Sequence, residues 1–324
     1  MDWLRLKAQL LAEGTARFTG KAGEPFIARS TAGPGAGSGG SIFFSTGQGR
    51  VRLTIDPRSP VEVEHTGGGR AILRCAGLTI EGLIEPVALH CPRQAYITVT
   101  SGCIYRCRYC EVPALTAGRK TPEQIEEMVG LVADRIDAIS LTSGVLNGVE
   151  EEEEYVLAII SRITRFGVPI GVSIFPGEST ADRLHDLGVA EVKFNIEAAT
   201  GELFATMCPG LDWGAVWRAL NRSVGLFGRG HVFSNLIIGL GEDDRDVEEC
   251  ITALCNAGVI PIIRPLNPAG ELGGYARPTA DRLLKIYGIH SRLLRDAGLD
   301  PRDALTMCPA CTGCDLVPGR DGPL

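Results

Sequence analysis

Six of the chain's eleven cysteines stand in two tight groups. Cys103, Cys107 and Cys110 are spaced Cys-x3-Cys-x2-Cys, and Cys308, Cys311 and Cys314 are spaced Cys-x2-Cys-x2-Cys in a compact Pro/Gly turn. Three thiolates on one short loop can hold three irons of a cubane cluster and leave the fourth iron open to a small molecule, whereas a structural zinc site takes four ligands. Zinc stays open as an alternative for the first group if His90 or Cys91 completes it, and for the second if Cys75 or Cys91 does. Clusters of this kind in an odd total are not a disulfide framework, and they suggest metal in a reducing, cytoplasmic setting. Cys208, Cys250 and Cys255 fall on helical patterns and read as buried small hydrophobes.

These cysteines must be positioned by something, and the chain shows what. From Ala95 onward, β-branched runs alternate with helical periods: AYITVT, DAISLTS, PIGVSIF, EVKFNI, HVFSNLIIGL and VIPIIRPL are each followed by a helix-like stretch. Six β/α units in series predict a parallel sheet, and hence an α/β fold with a partial or complete parallel β/α (TIM-like) barrel whose ligands sit at the C-terminal strand ends. The first strand ends at Thr100, so Cys103, Cys107 and Cys110 occupy the loop at that mouth.

The flanking segments divide the chain into 1–94, 95–298 and 299–324. Residues 2–12 read as a short helix. Thr31–Gly40 is a Gly/Pro/Ser linker without the lysine a P-loop requires. Short alternating runs over residues 41–90 predict a small antiparallel β unit. The C-terminal segment is the cysteine-rich tail. The acidic run Glu150–Glu154 at a helix start reads as a solvated face, and the five histidines form no metal or triad spacing.

Composition sets further bounds. At 324 residues, 44% hydrophobic and 22% charged, the chain is an ordinary globular protein with room for a large core. A net charge of −7 argues against nucleic acid as a partner. No apolar run is long enough to span a bilayer, and the amphipathic start lacks a secretory h-region.

The loop Cys103-Ile-Tyr-Arg-Cys107-Arg-Tyr109-Cys110, aromatic residue included, resembles the signature of the radical S-adenosylmethionine (SAM) superfamily. The resemblance implies a [4Fe-4S] cluster on Cys103, Cys107 and Cys110, SAM chelated at the open iron, and Tyr109 against the adenine. It extends to later strand ends. Thr142-Ser143-Gly144 matches a turn that accepts the methionyl amino group, and Phe194-Asn195-Ile196-Glu197 is similar to the ribose-binding segment of biotin and lipoyl synthases. Gly239-Leu240-Gly241-Glu242 is close to a further segment of those two enzymes. Arg264 and Leu266 end the sixth strand, where Arg264 could face a carboxylate of the cofactor or a substrate anion, or make a structural ion pair.

The second cysteine group then suggests a second iron–sulfur cluster, folded back over the barrel mouth. Resemblance to the sulfur-inserting synthases, with neither of their usual second-cluster cysteine sets, implies a subunit of the two-protein lipoyl synthase acting on an octanoyl chain of a carrier protein. Its expected partners are an electron donor of ferredoxin or flavodoxin type, a second radical SAM subunit and the acyl-carrying protein. A radical mutase or methylase acting on a small molecule is the first alternative, and a non-catalytic iron–sulfur carrier the second.

Overall fold

The computed structural model describes residues 2–21, 26–27, 40–85, 93–268 and 270–324. Most of the Gly-rich linker, and both His90 and Cys91, lie outside them. Asp2 caps the first helix, α1 (Trp3–Glu13), by accepting from the Arg5 amide, and Gly14 ends it in the left-handed conformation. Strands β1 (Thr15–Gly20), β2 (Ser41–Ser45), β3 (Arg50–Ile55), β4 (Glu62–Gly67), β5 (Arg70–Cys75) and β6 (Leu78–Ile84) follow and close into a barrel in the order β1-β3-β2-β6-β5-β4. The β unit is therefore not purely antiparallel, and it begins earlier than residue 41. Strand β1 pairs parallel to both β3 and β4, and this closes the ring and removes the open edges an antiparallel meander would leave.

The larger unit is the expected parallel sheet. Strands β7 (Gln94–Thr98), β10 (Ala138–Thr142), β11 (Ile170–Ser173), β12 (Glu191–Lys193), β13 (Val232–Ile238) and β14 (Ile260–Pro265) lie in sequence order, every neighbouring pair parallel. Helices α2 (Pro122–Gly130), α3 (Val149–Ile163), α4 (Thr180–Asp186), α5 (Gly201–Met207), α6 (Trp213–Phe227), α7 (Asp244–Ala257) and α8 (Ala280–Ala297) connect or follow the strands. Their apolar stripes bury the outer sheet face, with Val156, Ile160, Leu220, Ile251 and Leu254 among the fully buried residues. This is a six-stranded partial barrel. A two-stranded ribbon, β8 (Thr100–Ser101) with β9 (Gly118–Arg119), ties together the two ends of the first cysteine loop.

The C-terminal tail takes an unexpected route. Leu305 N, Thr306 N and Thr306 Oγ1 all donate to the buried carboxylate of Glu191, the first residue of β12, at 2.6–2.8 Å. Ser140 Oγ and Gln94 Nε2 donate to the Thr306 carbonyl. A Cβ on Gly171 would meet Thr306 Oγ1, so glycine there makes room for the tail. These partners share the inward face near the N-terminal strand ends. The tail thus enters the barrel lumen from the end opposite the mouth, and it does not fold over the mouth as expected. The helical turn α9 (Cys308–Cys311) follows inside.

The tail is then locked to the small barrel. Lys7, fully buried, donates to the Thr312 carbonyl and to Asp321 Oδ2, the latter at 2.7 Å, while Trp3 Nε1 donates to Asp321 Oδ1. The backbone of Arg52 donates to the Gly313 carbonyl, and Arg50 Nη1 to that of Cys311. Among the described residues no helix is long and apolar enough to cross a membrane.

The acidic run Glu150–Glu154 is not the solvated face expected. Glu152 and Glu153 are 2% and 4% exposed. Glu152 accepts from Thr100 Oγ1 at 2.7 Å, from Ser143 Oγ and from Arg119 Nη2, and Glu153 accepts from Thr180 Oγ1 and Arg183 Nη1. Helix periodicity turns two of five consecutive positions inward, where hydroxyls and guanidinium groups meet them.

Candidate active site

Inward-facing positions repeat every second residue along the strands, as the pleat requires. Tyr96 and Thr98 of β7, Thr142 of β10, Ser173 of β11, Lys193 and Asn195 of β12 and its continuation, Asn235 of β13 and Arg264 of β14 border a single cavity of about 270 Å³. The first cysteine loop covers one side of it with Cys103, Tyr105, Cys107, Tyr109 and Cys110. Cys308 and Cys314 of the tail reach the same cavity. Leu11, Gly14, Arg52 and Thr54 of the N-terminal unit complete the wall.

The loop of Cys103 is set by backbone bonds. Ile104 N donates to the Val145 carbonyl, Val145 N donates to Cys103 Sγ at 3.5 Å, and Arg108 N donates to the Met207 carbonyl. Thr100 N donates to Ser143 Oγ, and Glu152 gathers both hydroxyls. Gly144 lies so close that a Cβ there would stand 2.1 Å from the Gly102 carbonyl oxygen, so any larger residue would displace the loop. Burial raises the Cys103 thiol and pushes Cys110 up to about 12. The adjacent Cys208 sulfur, and then burial, raise Cys107. Thiols held neutral in this way lose their protons when iron binds and supplies the opposing charge.

Glu197 borders the cavity beside Tyr109 with a positive φ of 55°, a backbone conformation that costs energy in a non-glycine residue. Burial pushes its carboxyl up to about 7, while Lys193, Tyr109, Arg264 and Asn195 pull it partly back. Its Oε2 is buried with no hydrogen-bond partner, as is Oδ1 of Asn235. Asn195 Oδ1 accepts from the Asn235 backbone at 3.2 Å, and this fixes the Asn195 side chain beside Glu197. An orphaned carboxylate oxygen facing a cavity suits a ligand that brings hydroxyl donors.

Several expected residues are placed elsewhere or turned otherwise. Gly239, Gly241 and Leu266 do not border the cavity. The amides of Gly239, Leu240 and Gly241 all donate to the Glu242 carboxylate, which Arg282 also binds, so that turn is satisfied within itself. Leu266 is buried, and its amide is spent on the Ile238 carbonyl. Arg264 does border the cavity, and its Nη2 donates to Cys308 Sγ at 2.8 Å. Cys311 is buried against Phe43 instead of facing the cavity. Thr142, Ser143, Gly144, Tyr109, Asn195 and Glu197 all border it, as do the first three cysteines.

Lys193, Asn235, Arg52 and Tyr96 escaped the sequence reading. For Tyr96 and Lys193 the signal is the period-two run of polar residues within apolar strands, Gln94-Tyr96-Thr98-Thr100 and Glu191-Lys193-Asn195-Glu197, which marks a polar lumen.

A model of the radical SAM superfamily matches residues 97–254, the segment from the first strand through most of α7. Residues 97–254 are thus similar to the radical SAM superfamily. Solved radical SAM structures share the fold at low identity. HydG, a maturase of the [FeFe]-hydrogenase, superposes with a TM-score of 0.53 at 17% identity over 64% of this chain and 50% of its own. Methylornithine synthase PylB gives 0.52 at 15% over 65% and 70%, and Streptococcus suis SuiB bound to SAM gives 0.53 at 10% over 64% and 48%. The chain thus spans about half the length of HydG and SuiB. No curated protein sequence is significantly similar to it. Similarity to that superfamily implies a [4Fe-4S] cluster and SAM, and the residues present fit them: three thiols on the mouth loop, with the orphaned carboxylate oxygen of Glu197 on the same cavity.

Among the described residues, no three His, Cys, Asp or Glu side chains converge closely enough to share one metal ion. A cubane asks for something different, one thiolate at each of several separated irons.

Proposed function

We propose that the protein is a radical SAM enzyme whose C-terminal cysteines carry a second iron–sulfur centre, and that it inserts sulfur into an unactivated carbon of a carrier-bound octanoyl chain. The observation that supports this reading is that Cys103, Cys107 and Cys110 and the pair Cys308 and Cys314 border one cavity. When bound, a cluster held by Cys103, Cys107 and Cys110 together with SAM would supply one-electron reductive cleavage to a 5′-deoxyadenosyl radical, which would take one hydrogen atom per C–H to become 5′-deoxyadenosine, and each C–S bond formed would leave one electron with the centre that supplies the sulfur.

The chain's residues divide the remaining tasks. Cys103, Cys107 and Cys110 hold the cluster, and Glu197 with Asn195 accepts and orients the cofactor's hydroxyls. Tyr105, Val145, Ile174, Phe175 and Leu211 give the cavity an apolar side that suits a hydrocarbon chain and excludes water. The one-electron supply would come from a ferredoxin- or flavodoxin-type donor, and a second radical SAM subunit would share the carrier.

The test is anaerobic reconstitution with reductant, SAM and an octanoylated carrier, read by mass spectrometry of the carrier. A mass gain matching sulfur for hydrogen supports the reading. Formation of 5′-deoxyadenosine with an unchanged carrier would replace it with a radical mutase or methylase of a small polar substrate, a reading favoured by the orphaned Asn235 Oδ1 and the buried Lys193.

A further inference from the structure

We infer that Lys193 and Arg264 fix the order in which the two centres take up electrons, holding the C-terminal centre at the higher reduction potential. This rests on the two-centre reading above and adds to it a direction of electron flow.

Reduction adds negative charge to a cluster, so cations and hydrogen-bond donors at its ligand sulfurs favour the reduced form, and carboxylates nearby oppose it. The two cysteine groups differ sharply in this respect. Arg264 Nη2 lies 2.8 Å from Cys308 Sγ, and Lys193 Nζ lies 3.7 Å from the same sulfur. The two cations project from β14 and β12, so rigid strands hold them. Arg264 Nε is buried with no partner, a donor still free for a ligand in the cavity. Lys7 and Arg50 add positive charge at the carbonyls of Thr312 and Cys311. Against them stands Asp315, buried beside Cys314 and facing Arg264 and Lys7; Asp321 is already paired with Lys7.

At the first group no cationic side chain among the described residues is hydrogen-bonded to a cysteine sulfur. Cys103 accepts from a backbone amide, and Cys107 lies beside Cys208. The charged groups that bear on it are carboxylates, Glu152 on Cys103 and Glu197 on Cys107 and Cys110, with Glu152 itself paired to Arg119 and Glu197 also within the field of Lys193 and Arg264. Arg108 on the same loop turns away to Glu271. The first centre is thus built to hold an electron weakly, as a strong one-electron reductant must. The second is built to accept one, which matches the electron that C–S bond formation releases.

The test is an anaerobic potentiometric titration of the reconstituted full chain, followed by electron paramagnetic resonance. The first centre is identified as the signal that SAM perturbs and that survives in the Cys308→Ser, Cys311→Ser, Cys314→Ser variant. The second centre is expected to reduce first, so one electron per chain leaves the SAM-responsive signal silent. Lys193→Met is expected to move only the second midpoint to more negative potential, with Lys193→Arg restoring it. Reduction of the SAM-responsive centre first, or a second midpoint indifferent to Lys193→Met, would overturn the inference with no need for any variant at Arg264. Iron analysis separates this from failure of the two-centre reading: about four irons per chain removes both, whereas about eight with the reversed order removes this inference alone.

Discussion

Cysteines of both groups border one cavity, yet different lengths of chain hold the two groups in place. The loop of Cys103 is fixed largely by residues 42 to 52 positions away, through Cys103 with Val145 and Thr100 with Ser143 and Glu152, with Arg108 to Met207 as a longer tie. The turn of Cys308 depends on Arg264, 44 positions away, and on Lys193, Arg50 and Lys7, 115 to 305 positions away. The first site therefore needs the first half of the sheet, α3 and the end of α5. The second needs the finished barrel, the N-terminal unit and the tail together, and contacts of such separation form late because loop closure must precede them.

The difference also concerns charge. The mouth loop offers neutral, buried thiols near carboxylates, whereas the tail turn offers sulfur near cations. A centre that must give up an electron and a centre that must take one would be built in these two ways.

The largest expected effect separates the two groups outright. Converting Cys103, Cys107 and Cys110 to Ala should abolish reductive cleavage of SAM, measured as 5′-deoxyadenosine by chromatography, and remove about four irons per chain if each centre is a cubane. Persistent 5′-deoxyadenosine would show that the mouth loop does not hold the radical cluster.

Next in size is an attack on the tail that touches no cysteine. Lys7 and Asp321 pair with side chains 0% and 1% exposed. Lys7→Met leaves a buried carboxylate without its cation, which costs about 3–5 kcal/mol when one partner of such a pair is removed. Denaturant melts of the metal-free protein should show that loss. Reconstituted Lys7→Met should keep its SAM-responsive signal and lose the second one. A variant with both signals intact would show that the tail is held otherwise.

How far this contrast could be read in advance differs between the two sites. Cys103, Cys107, Cys110 and the strand-end residues Asn195 and Glu197 announce themselves because each lies within a few residues of a strand whose period is plain. The tail's route does not, since it depends on Glu191 receiving Thr306 and on Gly171 leaving space, pairings that no local pattern encodes. Arg264 was visible as a cation at a strand end, but its target, 44 residues on, was not. Gly239 and Gly241 misled because a Gly-rich strand end serves equally to bind a ligand or to wrap a neighbouring carboxylate, here Glu242. Strand β1, with only a partial alternation over Thr15–Gly20, gained its place through barrel closure.

A smaller effect probes the cofactor side of the cavity. Glu197→Gln keeps the shape and removes the charge that would accept two hydroxyls, a loss of roughly 1.5–3 kcal/mol in SAM affinity if those bonds are charge-assisted. The pH dependence has a definite sign. With its carboxyl pushed up to about 7, wild-type Glu197 is protonated below that value and a full acceptor above it. SAM binding to the cluster-loaded protein, followed by calorimetry, should therefore tighten from pH 6 to pH 8 in the wild type and stay flat in Glu197→Gln. Equal slopes in the two proteins would move the titration to another group.

The smallest expected effect is the one that best distinguishes a working centre from a structural staple. If Cys308, Cys311 and Cys314 served to pin the tail through zinc, replacing them with Ser would release it, because metal binding energy is then folding energy. The tail, however, is already held by Glu191 at Leu305 and Thr306, by Arg52 at Gly313, and by Lys7 and Trp3 at Asp321. None of these bonds involves a cysteine sulfur. Only Cys311 is deeply buried, and a sulfur-to-oxygen change there costs on the order of 1 kcal/mol as one small polar group enters an apolar contact. The triple Ser variant should therefore unfold within about 1 kcal/mol of the metal-free wild type, and a chelator should not lower the melting temperature of the reconstituted protein by more than a few degrees. A collapse in either measurement would make the C-terminal cysteines a staple and leave the mouth loop as the chain's one redox centre.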